Sequence, residues 1–126
     1  MSKFKFGLKA KIARMEAEKA VTAMGYAAIK HFKVDVFDRE AFDGVKWKPR
    51  QDPTNKRRLL VKTGRMRNSI NFLRRTRYGA TIGTRVKYAK YHNDGTSKLP
   101  QRQFIGNTRE LTRIHMRMLK TVMARV

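Results

Sequence analysis

The 126-residue chain has no cysteine, only three prolines and nine acidic residues, and no apolar run of about 18 residues. Each shortage excludes something. Without thiols there are no disulfides and no thiolate metal sites, although the redox compartment stays open. Without a long apolar run nothing is expected to span a membrane. The acids are also unevenly spread. None lies between Pro53 and Asn93, a stretch that holds twelve basic residues. Such a stretch cannot neutralise itself internally, so it either stays solvated with counterions or meets an anionic partner.

Lys and Arg number 31, for a formal net charge of +22. Residues 1–63 carry 16 basic and 7 acidic groups, and residues 64–126 carry 15 and 2. Seven Phe, seven Met, four Tyr and one Trp supply enough large side chains for a core, which argues against disorder despite the charge. The length fits a single domain over 1–126. Such a chain buries about two-thirds of its unfolded surface without help from a metal.

Along the chain, Met1 to Met15 is basic and amphipathic and lacks a continuous apolar core. It reads as the start of an ordinary helix and not as a secretory signal. Leu8, Ile12, Met15, Val21, Met24, Ala28 and Phe32 recur at helical spacing, predicting one long helix over 8–33. Gly25 marks a close helix contact or a kink. Val34, Val36 and Phe37 fit either a short extended segment or a continuation of the helix. Asp43-Gly44 is a turn signal, and 43–58 reads as an exposed loop anchored by Trp47. Thr63 is placed to cap a short helix carrying Met66 and Ile70.

A hairpin is expected over 69–85, turning at Tyr78-Gly79, followed by an edge strand from Leu99 to Ile105, so that 69–105 supplies the sheet. Asn107-Thr108-Arg109-Glu110 has capping-box spacing and opens a C-terminal helix over 108–125. Its apolar stripe is Leu111, Ile114, Met118, Leu119 and Val122. The class is α+β: a small, mostly antiparallel sheet with a long N-terminal and a C-terminal helix packed on it.

No catalytic constellation assembles. His31, His92 and His115 are far apart in sequence and share no metal-ligand spacing, so neither a metal nor a cofactor is expected. Asp35, Asp38, Glu40 and Asp43 could suggest a divalent-ion nuclease, but their irregular spacing reads better as charge balance. No Gly-rich phosphate loop and no Gly-x-Ser-x-Gly turn occurs. Two basic clusters stand out: Lys56, Arg57 and Arg58 in the loop, and Arg74, Arg75 and Arg77 beside Tyr78 on the hairpin. Both could contact phosphates without regard to sequence.

Four motifs occur in order: Trp47-Lys48-Pro49-Arg50, Leu59-Leu60-Val61-Lys62-Thr63-Gly64-Arg65-Met66-Arg67-Asn68-Ser69-Ile70, Tyr88-Ala89-Lys90-Tyr91-His92-Asn93-Asp94-Gly95, and Pro100-Gln101-Arg102-Gln103-Phe104. Ile82-Gly83-Thr84 lies between the second and the third. Together they resemble the phage virion morphogenesis, or tail completion, family of Mu-like and P2-like phages. They are also similar to head–tail joining and minor tail components. The likeness spans roughly residues 40–125 and departs at Gln103, where such proteins often carry a second proline.

The resemblance implies a non-enzymatic virion protein of the tail or head–tail junction, made in the host bacterial cytoplasm. It would form a homo-oligomeric ring around the DNA channel, next to connector or tail-tube proteins. Trp47, Gly64, Tyr88, Gly95, Arg102 and Phe104 are then expected as fold or junction anchors. Arg102 would bind a carboxylate or backbone carbonyls across a junction. The two basic clusters would face the DNA channel or an acidic partner, away from subunit contacts. A free basic nucleic-acid-binding protein, acting in packaging or regulation, is the alternative.

Overall fold

The computed structural model describes residues 3–7, 14–49, 59–60 and 64–124. The long helix α1 (Arg14–Lys30) passes without a break through a π turn (His31–Asp35) into a last α turn, α2 (Val36–Arg39). Val34, Val36 and Phe37 therefore continue the helix, which ends six residues later than expected. Its expected first residues, 8–13, lie outside the described ones. Val21, Met24, Ala28 and Phe32 are buried as one stripe, as their spacing predicts. The π turn explains how Phe37 joins them. In an α-helix residues five apart point about 140° away from each other. Here the Val36 N–H reaches back five residues to the His31 carbonyl, and Phe32, Val36 and Phe37 are all buried.

The opening residues are not helical. Lys3–Gly7 forms strand β1, the first strand of a three-stranded antiparallel sheet. Its partner is β5 (Gly79–Gly83), which also pairs with β4 (Asn71–Arg75) in the expected hairpin, giving the order β1-β5-β4. A second, minimal hairpin joins β2 (Ala41–Phe42) to β3 (Val45–Lys46) across Asp43-Gly44. Both turn residues have positive φ, as two-residue hairpin turns favour. The expected loop thus begins as a hairpin, and residues 50–58 are outside the described ones.

Two short helices and an irregular segment precede the last helix. Helix α3 (Arg65–Asn68) buries Met66 and sets Ile70 into the core. Gly64, with φ +76°, stands at its N-cap position, and Thr63 lies outside the described residues. Helix α4 (Ala89–Asp94) occupies a region in which no helix was expected. The segment 99–105 is not an edge strand. Its amides are satisfied irregularly, Arg102 N–H by the His92 carbonyl and those of Phe104 and Ile105 by one side-chain oxygen of Asn93.

Helix α5 (Arg109–Met123) is capped one residue later than its capping-box spacing suggested. Thr108 Oγ1 accepts from Leu111 N–H at 3.1 Å, while Asn107 accepts from the Thr112 hydroxyl. Leu111 and Val122 of the stripe are buried, and so is His115. Helices α1 and α5 pack on each other and against the inner sheet face, where Phe4 meets Phe32 and Phe6 meets His115. Phe32, Phe37, Ile70, Ile82, Phe104, Ile105 and Leu111 form the center of the core. The molecule is α+β as read. No helix among the described residues is long and apolar enough to cross a membrane.

Candidate functional site

The outer face of the sheet is built by alternation. In β1, Phe4 packs on the core and Phe6 meets His115 while also edging the trough, and Lys3 and Lys5 stand outward and exposed. In β5, Ala80 and Ile82 are buried, which leaves Gly79 and Thr81 on the outer floor. Strand β4 would not continue this pattern without its bulge. Phe72 pairs with Ile82 on the inner side, and a regular ladder would put Arg74 opposite Ala80, also inward. The register shifts between Phe72 and Arg74, so Leu73 is an extra residue and Arg74 faces Thr81 instead. Lys5, Thr81 and Arg74 then form one row across the three strands.

The result is a trough of about 630 Å³ lined by Lys3, Lys5, Thr76, Tyr78, Thr81, Arg74 and Arg85, among others. Among the described residues no carboxylate lines it. Arg85 lies at its rim and donates to the Leu73 carbonyl at 3.3 Å.

The hairpin arginines do not act as one patch. Arg74 joins the trough. Arg75 pairs with Ala80 and lays its guanidinium over the Phe72 ring, 5.0 Å from the centroid. Arg77 is exposed in the turn. Lys56, Arg57 and Arg58 lie outside the described residues. Sequence reading missed Lys3 and Lys5, whose Lys-Phe-Lys-Phe alternation was the available signal.

The motif residues converge elsewhere. Trp47 Nε1 donates to the Gln103 carbonyl at 2.8 Å. The Arg102 guanidinium donates to the carbonyls of Lys48 at 3.0 Å and Pro49 at 3.4 Å. Arg102 thus takes the expected backbone carbonyls, and takes them within its own chain. Asn93, unremarked as a site in the sequence, is the buried center. Its Oδ1 accepts from Phe104 N–H at 3.0 Å and Ile105 N–H at 3.1 Å.

Gly95 closes the turn after α4 with φ +78°, and any Cβ there would sit 3.0 Å from the Gln101 backbone. Trp47 and Phe104 are buried anchors. Tyr88 is not: it is 40% exposed, with Arg65 over its ring and His92 edge-on to it. The His92 pKa is lowered by burial and, secondarily, by the charge of Arg102.

The acids of the supposed nuclease cluster are each held separately. Asp38 pairs with Arg67, Glu40 accepts from Leu59 N–H, and Asp43 accepts from Arg109 N–H at 3.0 Å. That backbone bond, more than any charge, holds the Asp43 carboxyl below the usual carboxylate range. Asp35 lies 3.6 Å from Nδ1 of His31. Ligand atoms of His31, Asp35 and Glu110 all come within 4.8 Å of one another. Both Glu110 oxygens, however, are taken by the Arg39 guanidinium. A cation there would have to displace that arginine, so the group reads as an ion-pair network. His115 is a core histidine, with Nε2 donating to the Met24 carbonyl at 2.9 Å.

No family model, curated protein or solved structure matches the chain.

Proposed function

We propose that the chain is a structural protein of a bacteriophage virion, a ring-forming subunit around the DNA channel that completes the tail or joins it to the head. The observation that carries this reading is the meeting of motifs that are distant in sequence. Trp47-Lys48-Pro49, Asn93 with Gly95, and Arg102 to Phe104 join at one junction through Trp47 to Gln103, Arg102 to Lys48 and Pro49, and Asn93 to Phe104. Residues that act together are what a shared fold would retain as an ordered motif set. Their work is to hold backbone, which suits an assembly part. A 126-residue subunit is too small to surround DNA alone, and closed symmetric rings are the usual solution.

Native mass spectrometry at moderate salt, with electron microscopy of the same sample, tests the reading. A closed ring of fixed copy number is expected. A strict monomer at all concentrations, with no ring in assembled particles, would sink it.

The carboxylate-free trough also suits a second reading, a free nucleic-acid-binding protein acting in packaging or regulation. That reading expects monomeric, strongly salt-dependent binding with no ring.

A further inference from the structure

We infer that the trough on the outer face of β1-β5-β4 is a binding site for the phosphate backbone of duplex DNA, read without regard to base sequence, with Lys3, Lys5 and Arg74 as its principal contacts. The inference deepens the ring reading, in which DNA passes close to every subunit.

Geometry comes first. Adjacent strands lie about 4.8 Å apart, so the β1 and β4 backbones flank the β5 floor at about 10 Å from each other. Lys5 and Arg74 stand on opposite walls in one register row, on either side of Thr81. Lys3 and Lys5 continue one wall, about 7 Å apart along the strand. One strand of B-DNA carries a charge about every 3.4 Å of axis. That wall therefore runs alongside about two phosphates, and Arg74 approaches the same strip from across the floor.

The floor supports the same ligand. Gly79 puts no side chain in the way, so a sugar–phosphate chain can approach the β5 backbone closely there. The hydroxyls of Thr81 and Tyr78 offer neutral donors between the cations.

The bulge is the second line of argument. It adds one unpaired residue and disrupts the ladder, yet its effect is to turn an arginine from the core side to the trough side. The third is the lining, which among the described residues has no Asp, Glu, Asn or Gln. Without carboxylates the cations are not neutralised in place. Without amides the side chains that read adenine edges are missing, which favours phosphate contacts over base readout. A protein partner would need an acidic surface shaped to a lining that mixes Phe6, Leu73 and Ala80 with Gly79 and Thr81. A polyphosphate chain needs only regular charge.

The test compares two variants with equal loss of charge. One is Lys5→Gln with Arg74→Gln. The other is Arg117→Gln with Lys120→Gln, both exposed on α5 and away from the trough. Binding to a short random-sequence duplex is followed by fluorescence anisotropy across a salt series. The trough variant should bind about tenfold or more weaker at 0.1 M salt, with the salt slope reduced by about 1.8 for two lost phosphate contacts. The α5 variant should keep its slope, and Lys5→Arg should bind like the parent.

Equal losses in both double variants would overturn the inference in favor of diffuse charge. So would a polyglutamate chain that displaces DNA at lower charge concentration and depends on the same two residues, since that marks an acidic protein partner. Native mass spectrometry of the same variants keeps the two readings apart. Rings that persist while the trough variant binds normally remove this inference alone. Trough-dependent DNA binding by a strict monomer removes the ring reading alone.

Discussion

The indole N–H of Trp47 donates to the carbonyl of Gln103, 56 residues further along the chain, at 2.8 Å. That bond ties the segment after β3 to the segment before α5, and the Trp47 ring packs edge-on against Phe37 at 5.4 Å. Trp47→Phe keeps most of the ring and loses the donor, so a loss of about 1 kcal/mol is expected. Trp47→Ala also leaves a cavity, and about 3–5 kcal/mol is expected. Urea unfolding of both variants separates the two effects. Equal losses would mean that the hydrogen bond, and not the ring, carries the junction.

Asn93 serves two amides with a single oxygen, those of Phe104 and Ile105, in a buried position. Asn93→Leu is close in size and removes the acceptor. Each buried N–H left without a partner costs about 1–3 kcal/mol, so the variant should lose at least about 2 kcal/mol. Asn93→Asp retains an acceptor and should lose less, although it sets a second carboxylate beside Asp94. A leucine variant as stable as the parent in urea would show that water replaces the side chain.

How far the sequence foretold this molecule depends on the range of the interaction that decides each element. The stripe from Val21 to Phe32 and the Asp43-Gly44 turn were legible because spacing and local backbone preference settle them. Lys3–Gly7 was misread because four alternating residues were absorbed into the helical pattern that follows, and only pairing with β5 makes them a strand. The π turn leaves no pattern in composition. Arg102 to Phe104 resembled an edge strand because it is extended. What it pairs with, a side-chain oxygen eleven residues back, is a tertiary fact.

The trough was half legible for the same reason. Arg74 was visible as a basic residue on a hairpin, but its grouping with Lys5 needs the strand order and the bulge together. Arg75 carries the same charge and falls on the Phe72 side.

His115 gives the fold a pH dependence that its surface charges do not. Burial between the sheet and α1 lowers its pKa below the usual value near 6.5, while its Nε2–H bond to the Met24 carbonyl opposes the shift. The folded state then holds fewer protons than the unfolded one. The stabilisation is complete above about pH 6.5 and declines as pH falls toward the lower folded-state pKa. Half-buried His92 acts in the same direction. Asp43 and Glu110 are shifted below the carboxylate range, so their stabilisation persists until pH falls below about 4. Between pH 6.5 and 5 the decline therefore belongs to the histidines. Melting temperatures over that interval should fall for the parent and fall less for His115→Gln. Parallel slopes would exclude His115 as the source.

Gly25 sits mid-helix, where glycine costs about 1 kcal/mol relative to alanine. The structure shows what offsets that cost: a Cβ at this position would lie 2.2 Å from Cε1 of Phe72. The ring has little room to retreat, with Tyr26 edge-on at 5.3 Å and the Arg75 guanidinium 5.0 Å from its centroid. Gly25→Ala should therefore destabilise by about 1–2 kcal/mol despite the gain in helix propensity, because it overpacks the contact between α1 and β4. Phe72→Leu removes the clashing ring edge and, alone, loses packing. The two changes share one contact, so the double variant should be more stable than the sum of the single losses, by about 1 kcal/mol in a double-mutant cycle. Strict additivity would mean that the ring moves aside freely and that the glycine has some other cause.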